Sequence, residues 1–413
     1  MTATLGSLFV MPSIASPGPT AVPTSIVWDP SLTAYDFGPH HPMTPARLEL
    51  TARLARDLGL FDRPGVTLCT PFVADDDQLA RVHSREYIAA VRAVSANPGL
   101  PDEARGLGTE DDPAFAGMHQ ASARIAGGSW LAAEAVLTGG SMHAVNFSGG
   151  MHHASRERAS GFCIYNDAAL AIARLLDGGV QRIAYVDIDA HHGDGTQNIF
   201  WDDPRVLTIS LHESGLTLFP GTGFADEIGG PNALGSAVNV ALPAHTGDAA
   251  WLRAFHAVVP QLVQAFAPEV LVSQHGCDSH RHDPLTHLAT SIDAQREAAL
   301  SIAGLAARFC GDRWLALGGG GYSVTNVVPL VWSHLMAISS GRPLPLGTPV
   351  PHSWRSHVLE KYGRKAPELM GEDVDIWWRS WEVGFDPSDA VDRTVMATRK
   401  AVFPHHGLDP WFD

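Results

Sequence analysis

The residues best suited to carry out chemistry lie in one short run of the sequence, from Asp187 to Asp194. The run directly follows residues 182–186, whose apolar and β-forming side chains predict a buried strand. Ligands of α/β proteins bind beyond the carboxyl ends of parallel strands. Asp189 and His191 are two residues apart, so an extended backbone would place both side chains on one face. This pairing of a carboxylate with an imidazole predicts two ligands of a divalent metal ion.

Asp278 is the candidate for a third metal ligand, because it also follows an apolar run, at residues 270–274. Two carboxylates and one imidazole suit Zn²⁺ or Fe²⁺, and three protein ligands leave a coordination position for water. Taken alone, an Asp after a strand is more often a helix cap than a metal ligand. The prediction therefore depends on Asp189, His191 and Asp278 occurring together.

A pair of adjacent histidines, His152 and His153, is the candidate for proton transfer. Imidazole titrates near neutral pH, and an amide hydrolase has to deprotonate a water molecule and protonate an amine. Asp187 and Asp194 are each expected to orient one of these rings by accepting its far N–H. Neighbouring side chains on a strand point in opposite directions, so shared chemistry requires a bent loop. The alternative is a surface turn, since histidine pairs also occur at 40–41 and 405–406.

A tyrosine and two phenylalanines beside glycines complete the candidate site. Tyr322 follows four glycines, and a hydroxyl held by such a loop can donate to the oxyanion of a tetrahedral intermediate. A phosphate-binding loop is the alternative, but no Gly-Lys-Ser/Thr follows the glycines. Phe162 and Phe219 each lie in a glycine-containing loop and could line a narrow apolar channel, although a lone aromatic residue more often belongs to the core.

The elements around these residues alternate between short β-rich runs and helical runs. This alternation predicts a single-domain α/β fold, in which a mostly parallel, multi-stranded sheet is covered by helices on both faces. The domain is predicted to span 26–340, between a flexible N-terminal tail at 1–25 and a Trp-rich C-terminal segment at 341–413 that packs on it. Strands are predicted from residue 26 and at 144–147, 182–186, 206–211, 237–242, 270–274 and 314–317. Helices are predicted at 47–60, 118–137, 166–176, 248–267 and 292–309.

Composition excludes several classes of function. The net charge of the 413 residues is −16, which disfavours direct binding of nucleic acid because that needs a basic face. No window approaches the roughly 18 apolar residues of a membrane span. Residues 1–25 contain no Lys or Arg of the kind that begins a secretory signal. The 4 cysteines are scattered, which indicates reduced thiols and a cytoplasmic protein.

Several motifs resemble the zinc-dependent histone deacetylase family and follow one another in the same order. The resemblance covers residues 26–340. The motifs are Gly149-Gly150-Met151-His152-His153-Ala154, Ala159-Ser160-Gly161-Phe162-Cys163-Ile164-Tyr165-Asn166-Asp167, the Asp189 strand and Gly318-Gly319-Gly320-Gly321-Tyr322. Three further motifs resemble the bacterial acetoin-utilisation deacetylases of that family, namely Asp36-Phe37-Gly38-Pro39-His40-His41-Pro42-Met43, Phe115-Ala116-Gly117-Met118-His119 and Asp283-Pro284-Leu285-Thr286-His287-Leu288.

The resemblance implies the arginase/deacetylase fold and a zinc-dependent deacetylase of ε-N-acetyl-lysine. It implies that the metal, acid/base and oxyanion candidates named above have those functions. The substrate contacts that it implies are Asp111, with Asp112 as the alternative, and Gly161, Phe162, Phe219 and Leu285. It also implies a structural K⁺ ion near Asp187, Asp189, His191, Ser210 and Leu211.

An acetylated protein is the partner that the resemblance implies, and acetyl-CoA synthetase is a candidate substrate. An acetylpolyamine amidohydrolase or an enzyme for longer acyl groups would use the same chemistry. A non-catalytic acetyl-lysine reader is a further alternative, and an oligomer is compatible with the sequence.

The sequence departs from the family pattern at a few positions near the site. Met151 stands where many eukaryotic members have Trp, residues 275–277 replace a common Gly-Ala pair, and His280 and His282 are additional imidazoles. These departures affect the expected substrate preference rather than the chemistry. The two-manganese arginases of the same superfamily would need further carboxylates at the positions of Gly193 and His280, so one metal ion is expected.

Overall fold

One parallel sheet forms the centre of the molecule. The computed structural model describes residues 21–413. The strands in this range are β1 (Thr24–Val27), β2 (Val66–Cys69), β3 (His143–Asn146), β4 (Ile183–Asp187), β5 (Val206–Glu213), β6 (Ala237–Leu242), β7 (Val270–Gln274) and β8 (Trp314–Leu317). They form one sheet in the order β2-β1-β3-β8-β7-β4-β5-β6, and each neighbouring pair is parallel.

Helices cover both faces of this sheet. They are α1 (Ala46–Asp57), α2 (Asp76–Leu79), α3 (Arg85–Ala96), α4 (Met118–Leu137), α5 (Asp167–Asp177), α6 (Asp194–Ile199), α7 (Asp248–Phe266), α8 (Ile292–Phe309), α9 (Val328–Ser339), α10 (His352–Tyr362) and α11 (Ala390–Val402). Every residue of β3, β4, β5, β7 and β8 is buried, which requires cover on both sides. α4 packs on α5, β1, β3 and β8, whereas α1, α9, α8, α7 and α11 form a continuous row. The predicted fold class is confirmed.

Capping side chains set where two of the long helices begin. The side chain of Asn166 accepts a hydrogen bond from Ala169 N at the start of α5, and Ser291 accepts one from Ala294 N at the start of α8. Such short polar side chains satisfy backbone N–H groups that the first helical turn leaves free. The helix predicted from residue 166 therefore begins at Asp167, one residue later.

The predicted flexible tail needs a correction at its C-terminal end. Thr24 and Ser25 belong to β1 and are buried, because β1 lies between β2 and β3 and is hydrogen-bonded to both. The tail therefore does not extend to residue 25. The rest of the prediction, for residues 1–20, lies outside the described residues.

The C-terminal residues lie against the β6 edge of the sheet. Thr398 on α11 donates a hydrogen bond to Asn239 O on β6, over 2.6 Å. Arg253 on α7 and Asp392 on α11 form a buried ion pair with 2.6 Å between Nε and Oδ1. None of the helices formed by residues 21–413 has the length and apolar character needed to span a membrane.

Candidate active site

The candidate residues follow four neighbouring strands in the middle of the sheet. β3, β8, β7 and β4 lie side by side. Their last residues are in register, since Asn146 pairs with Leu317, Leu317 with Gln274, and Gln274 with Asp187. The histidine pair follows β3, the tyrosine follows β8, the third metal candidate follows β7 and the metal-ligand run follows β4. The parallel strands therefore bring all four segments to one edge of the sheet.

The three candidate metal ligands form one cluster. Nδ1 of His191 lies 3.1 Å from Oδ1 of Asp189 and 3.0 Å from Oδ2 of Asp278. The ligand atoms of the three residues all lie within 4.8 Å of one another. The strand geometry expected for Asp189 and His191 is wrong, because β4 already ends at Asp187. A bend beyond the strand, in which His191 N donates to Asp189 Oδ1 over 2.9 Å, brings the two side chains together instead.

The charges in this cluster fit a divalent cation. Asp189 and Asp278 are 1% and 0% exposed. Burial and the charge of Asp189 raise the pKa of Asp278 to about 6. Two buried carboxylates destabilise each other's charged forms unless positive charge lies between them. Two carboxylates and one imidazole are also ligand types that Zn²⁺ and Fe²⁺ accept, so the residues present fit such an ion.

Each histidine of the pair has its own carboxylate. Nδ1 of His152 donates to Oδ2 of Asp187 over 2.8 Å, and Nδ1 of His153 donates to Oδ1 of Asp194 over 2.7 Å. Burial disfavours the charged form of His152, but the charges of Asp187 and Asp189 outweigh it and raise the pKa of His152 to about 9. Burial and the neighbouring His152 lower the pKa of His153 to about 4. These shifts favour a charged His152 and a neutral His153 at neutral pH, and the two rings lie with 3.1 Å between their Nε2 atoms.

The two histidines lie on a bent loop, which their shared chemistry requires. Gly150 has a φ of 92°, in the left-handed region that favours glycine. A Cβ atom at Gly150 would lie 2.5 Å from the carbonyl oxygen of Gly318, so no other residue fits where the two glycine loops cross. Oδ1 of the buried Asp167 accepts hydrogen bonds from Met151 N over 2.7 Å and from Gly150 N over 3.0 Å. These contacts fix the loop that carries both imidazoles.

Tyr322 stands at the end of a glycine loop that passes over the metal-ligand cluster. Gly320 N donates to Asp189 Oδ2 over 2.8 Å. A Cβ atom at Gly320 would lie 2.1 Å from Asp278 Oδ2, so the close approach requires glycine. Burial raises the pKa of Tyr322 well above its ordinary value. The hydroxyl therefore keeps its proton and can act as a hydrogen-bond donor.

Two aromatic side chains border the site. The ring of Phe219 packs edge-on against His153 with 5.0 Å between centroids, and Phe162 packs edge-on against Tyr322 with 5.7 Å. Phe162 has a φ of 66°, which is rare for a bulky residue. The hydroxyl of Tyr35 donates to Phe162 O over 2.7 Å and helps to hold this backbone conformation. The two phenylalanines thus contact the candidate catalytic side chains and do not lie in the core.

Asp111 and Asp112 have different environments. Asp111 is half-buried, and its Oδ2 accepts a hydrogen bond from Gly161 N over 2.6 Å. Asp112 is 1% exposed, and its Oδ1 has no hydrogen-bond partner among the described residues. Burial and the charge of Asp111 raise the pKa of Asp112 to about 9. Of the two, only Asp111 is partly exposed, and Leu285 is also half-buried.

Three buried polar residues at the site have no counterpart among the sequence candidates. They are Arg47, Gln274 and Asp283. Nε2 of Gln274 donates to Asp189 Oδ2 over 2.7 Å and to Gly150 O over 3.3 Å. Arg47 donates to the carbonyl oxygen of Gly319, and its Cζ lies 5.4 Å from the centroid of the Tyr322 ring. Most of their partners are distant in the sequence, and the available signals were a Gln at the end of the apolar run 270–274 and an Asp at the start of the motif at 283–288.

A second group of ligand-type side chains consists of His280, His282 and Glu372. Nε2 of His280 lies 3.1 Å from Oε2 of Glu372, while Nδ1 of His280 accepts a hydrogen bond from His282 N over 3.1 Å. A neutral imidazole that accepts at Nδ1 carries its proton on Nε2 and donates it here to the carboxylate. Arg281 pairs with the same carboxylate oxygen, at 2.9 Å. The group is therefore a hydrogen-bonded clamp that joins the loop after β7 to the C-terminal residues.

The position of Gly193 leaves no room for a further metal ligand. A Cβ atom there would lie 2.5 Å from Asp187 Oδ2 and 3.3 Å from His152 Nδ1. The side chain of His280, at the other position that a two-metal site would need, points to Glu372. A single metal ion stays a prediction.

Three of the residues implied in potassium binding lie on two neighbouring strands. Ser210 and Leu211 are buried on β5, and Ser210 pairs in register with Asp187 on β4. The hydroxyl of Ser210 is hydrogen-bonded to His212 Nδ1 over 2.8 Å. Potassium binding stays a prediction.

Comparison with known proteins gives a consistent result. The model of the histone deacetylase domain matches residues 41–338. The chain is 41% identical over 365 residues to the acetoin utilization protein AcuC of Bacillus subtilis (strain 168), which covers 88% of this chain and 90% of that protein. It is 37% identical to the protein of the same name from Staphylococcus xylosus, covering 80% and 86% of the two chains, and 35% identical to that from Staphylococcus aureus (strain MSSA476), covering 91% and 94%.

Proposed function

The chain belongs to the histone deacetylase family, and from this premise we propose that it hydrolyses the acetyl amide of ε-N-acetyl-lysine in proteins. A deacetylase activity follows from the family, while the lysine substrate and the zinc ion are the proposal. One observation carries it: the metal-ligand cluster, the histidine pair with its two carboxylates and Tyr322 meet at one edge of the sheet. This arrangement contains each group that amide hydrolysis needs.

We assign the metal ion to Asp189, His191 and Asp278. When bound, Zn²⁺ would polarise the acetyl carbonyl and lower the pKa of the attacking water. Gln274 and Gly320 support this assignment because both donate hydrogen bonds to Asp189 Oδ2 and so fix its second oxygen.

The proton transfers are assigned to the histidine pair. His153 is neutral at physiological pH because burial and its neighbour lower its pKa, so its Nε2 can take a proton from the attacking water. The same ring then donates that proton to the lysine nitrogen as the C–N bond breaks and acetate leaves. Asp194 stabilises the imidazolium that forms in between. His152 is held by Asp187, whose charge opposes the effect of burial and favours the protonated ring, and it would place positive charge beside the developing oxyanion.

Tyr322 is assigned to the oxyanion. Its hydroxyl stays protonated and can donate a hydrogen bond to the acetyl oxygen as negative charge develops there. Phe162 and Phe219 would flank the alkyl chain of the acyl-lysine, since each packs against a catalytic ring. Asp111 would accept hydrogen bonds from the substrate backbone at the rim, close to Leu285.

The substrate is proposed to be an acetylated cytoplasmic protein. The relatives are named for acetoin utilization, which supports an acetylated metabolic enzyme such as acetyl-CoA synthetase as the target. A structural K⁺ ion near Asp187, Asp189, His191, Ser210 and Leu211 is kept as part of the proposal, supported by the pairing of β4 with β5.

Turnover of an acetyl-lysine peptide, compared with that of N-acetylputrescine, tests the proposal. Both assays use the same preparation, with its metal content measured. We expect hydrolysis of the peptide that is lost with a chelator and restored by Zn²⁺. Preference for the polyamine would keep the chemistry and replace the protein substrate, whereas a lack of turnover of both with metal bound would contradict the assignment of acetyl amides.

A further inference from the structure

The catalytic tyrosine stands on a backbone that has no regular secondary structure to hold it. Residues 318–322 follow β8 as an extended loop, and Gly319 and Gly321 have φ values of 151° and 135°. Glycine-rich backbone has many accessible conformations, so contacts from outside the loop must select one of them. The orientation of Tyr322 therefore depends on what binds each peptide group of this loop.

Most of these peptide groups are bound by residues of the metal-ligand loops. Gly318 O accepts from His275 N over 2.9 Å, Gly320 O accepts from Cys277 N over 2.8 Å, and Gly320 N donates to Asp189. The peptide N–H of Tyr322 itself donates to a different residue, Oδ2 of Asp283, over 2.7 Å.

The carboxylate of Asp283 is placed to join two parts of the site. Its Oδ1 accepts from Leu285 N over 3.0 Å, while its Oδ2 holds Tyr322 N. Asp283 N donates to His280 O over 2.8 Å, so the side chain projects from a tight turn. It is 8% exposed, which keeps competing water away from both hydrogen bonds. One carboxylate thus connects the backbone of the catalytic tyrosine with that of the rim residue.

We propose that Asp283 is a positioning residue, which acts through the Tyr322 backbone to aim the hydroxyl at the acetyl oxygen. This inference rests on the proposed function of Tyr322 as oxyanion donor. Asp283 does not touch the substrate or the metal ion in this proposal. A change in the direction of one peptide group displaces the tyrosine ring, and a displacement of about 1 Å can cost on the order of 10²-fold in rate.

The test is a double-mutant cycle with Asp283→Asn and Tyr322→Phe. Asparagine keeps the size but offers one acceptor oxygen in place of two. We expect Asp283→Asn to lower kcat of peptide hydrolysis by about 10- to 100-fold with KM nearly unchanged. In the Tyr322→Phe background the same change should alter kcat by less than about 2-fold. Asp283 acts by orienting the Tyr322 hydroxyl, and this variant no longer has it. An equal loss in both backgrounds would overturn the proposal.

Asp293→Asn is the matched control. Asp293 is also buried, and its two oxygens likewise accept from two backbone N–H groups, Glu372 N over 2.9 Å and Val374 N over 3.0 Å. This variant should lose similar stability and keep kcat.

Hydrogen exchange of the Tyr322 amide gives a readout that needs no turnover. Asp283→Asn should speed exchange at this amide, and Asp293→Asn should not. Unchanged exchange in Asp283→Asn would contradict the proposal even if the peptide proves to be the wrong substrate. If Asp283→Asn speeds exchange but the wild type does not hydrolyse the peptide, the contact between Asp283 and the Tyr322 amide is supported and the proposed function is refuted.

Discussion

Removal of the Tyr322 hydroxyl is expected to affect catalysis with little effect on folding. Tyr322→Phe keeps the ring that packs against Phe162 and removes only the donor to the oxyanion. We expect kcat to fall by about 10²-fold or more, as for other lost oxyanion donors. The zinc content should stay unchanged because the hydroxyl is not a metal ligand. Steady-state kinetics with a metal assay on the same sample measures both, and unchanged turnover would remove Tyr322 from the mechanism.

Asp112 predicts a pH dependence of stability at a single residue. Its pKa is raised to about 9 in the folded chain, against about 3.9 for an ordinary unfolded Asp. Between these two values the unfolded state has released the proton and the folded state has kept it, so this group lowers stability as pH rises, by at most about 1.4 kcal/mol per pH unit. The contribution is absent below the unfolded pKa and complete above pH 9.

Asp112→Asn should therefore stabilise the protein most at alkaline pH. The neutral amide removes the cost of burying a group that ionises in the unfolded chain, so we expect a gain of about 1–3 kcal/mol at pH 8 and a smaller one at pH 5. Urea unfolding at both pH values measures the free energy of unfolding. An equal change at pH 5 and pH 8 would mean that the side chain acts by packing and not by its charge.

At the scale of elements, apolar runs and capping residues were sufficient to predict most of the sheet and the long helices. The boundaries of β6, β7, β8, α4 and α8 agree with the predicted ones because these elements are uniform in pattern and bounded by glycine or capping residues. β2 was not predicted because it is a half-exposed edge strand with only four residues. α3 has a capping Ser84 and apolar residues at helical spacing, a pattern from which this helix can be predicted.

The parts of the site that can be predicted from the sequence are those that lie in compact motifs. The sequence pattern indicated the metal and histidine candidates because they occur in compact polar clusters after strands. It could not indicate the contact of Asp283 with Tyr322 or that of Arg47 with Gly319, since each joins residues far apart in the chain, although Asp283 begins one of the deacetylase-like motifs. The supposed strand geometry of the metal ligands also failed, because the bend after β4 depends on contacts with loops from β7 and β8.

The packing of α11 gives a prediction at the same scale. Asp392 is 0% exposed and pairs with Arg253 and Arg379, so Asp392→Ala leaves the buried guanidinium of Arg253 without a carboxylate partner. We expect a loss of about 3–5 kcal/mol in the free energy of unfolding, with kcat retained in the folded protein. Lys365→Ala breaks an exposed pair with Glu368 in the same C-terminal residues and should change stability by less than about 1 kcal/mol. Similar losses for both variants in urea unfolding would contradict the conclusion that the ion pair of Asp392 with Arg253 holds α11 against the rest of the molecule.

At the scale of the whole molecule, the candidate site lies at the centre of the sheet and the edge strands carry none of its residues. This is a division between the centre and the edges of one sheet. The four central strands β3, β8, β7 and β4 end in the candidate chemical groups, whereas β2 and β6 close the two sides. The chain matches its relatives over most of their length, so this division is expected to hold across them. The net charge of −16 disfavours direct binding of nucleic acid and favours cationic, lysine-rich segments as partners.

Zinc titration of the metal-free protein tests the central claim most directly. Bound zinc and peptide turnover are measured on the same samples as Zn²⁺ is added to protein stripped with a chelator. We predict no turnover without metal, a linear rise, and a plateau at one zinc per chain. His280→Ala, which opens the clamp at Glu372, should still reach its plateau at one zinc. Turnover by the stripped protein, or a plateau at two ions per chain, would contradict a deacetylase that works with a single metal at Asp189, His191 and Asp278.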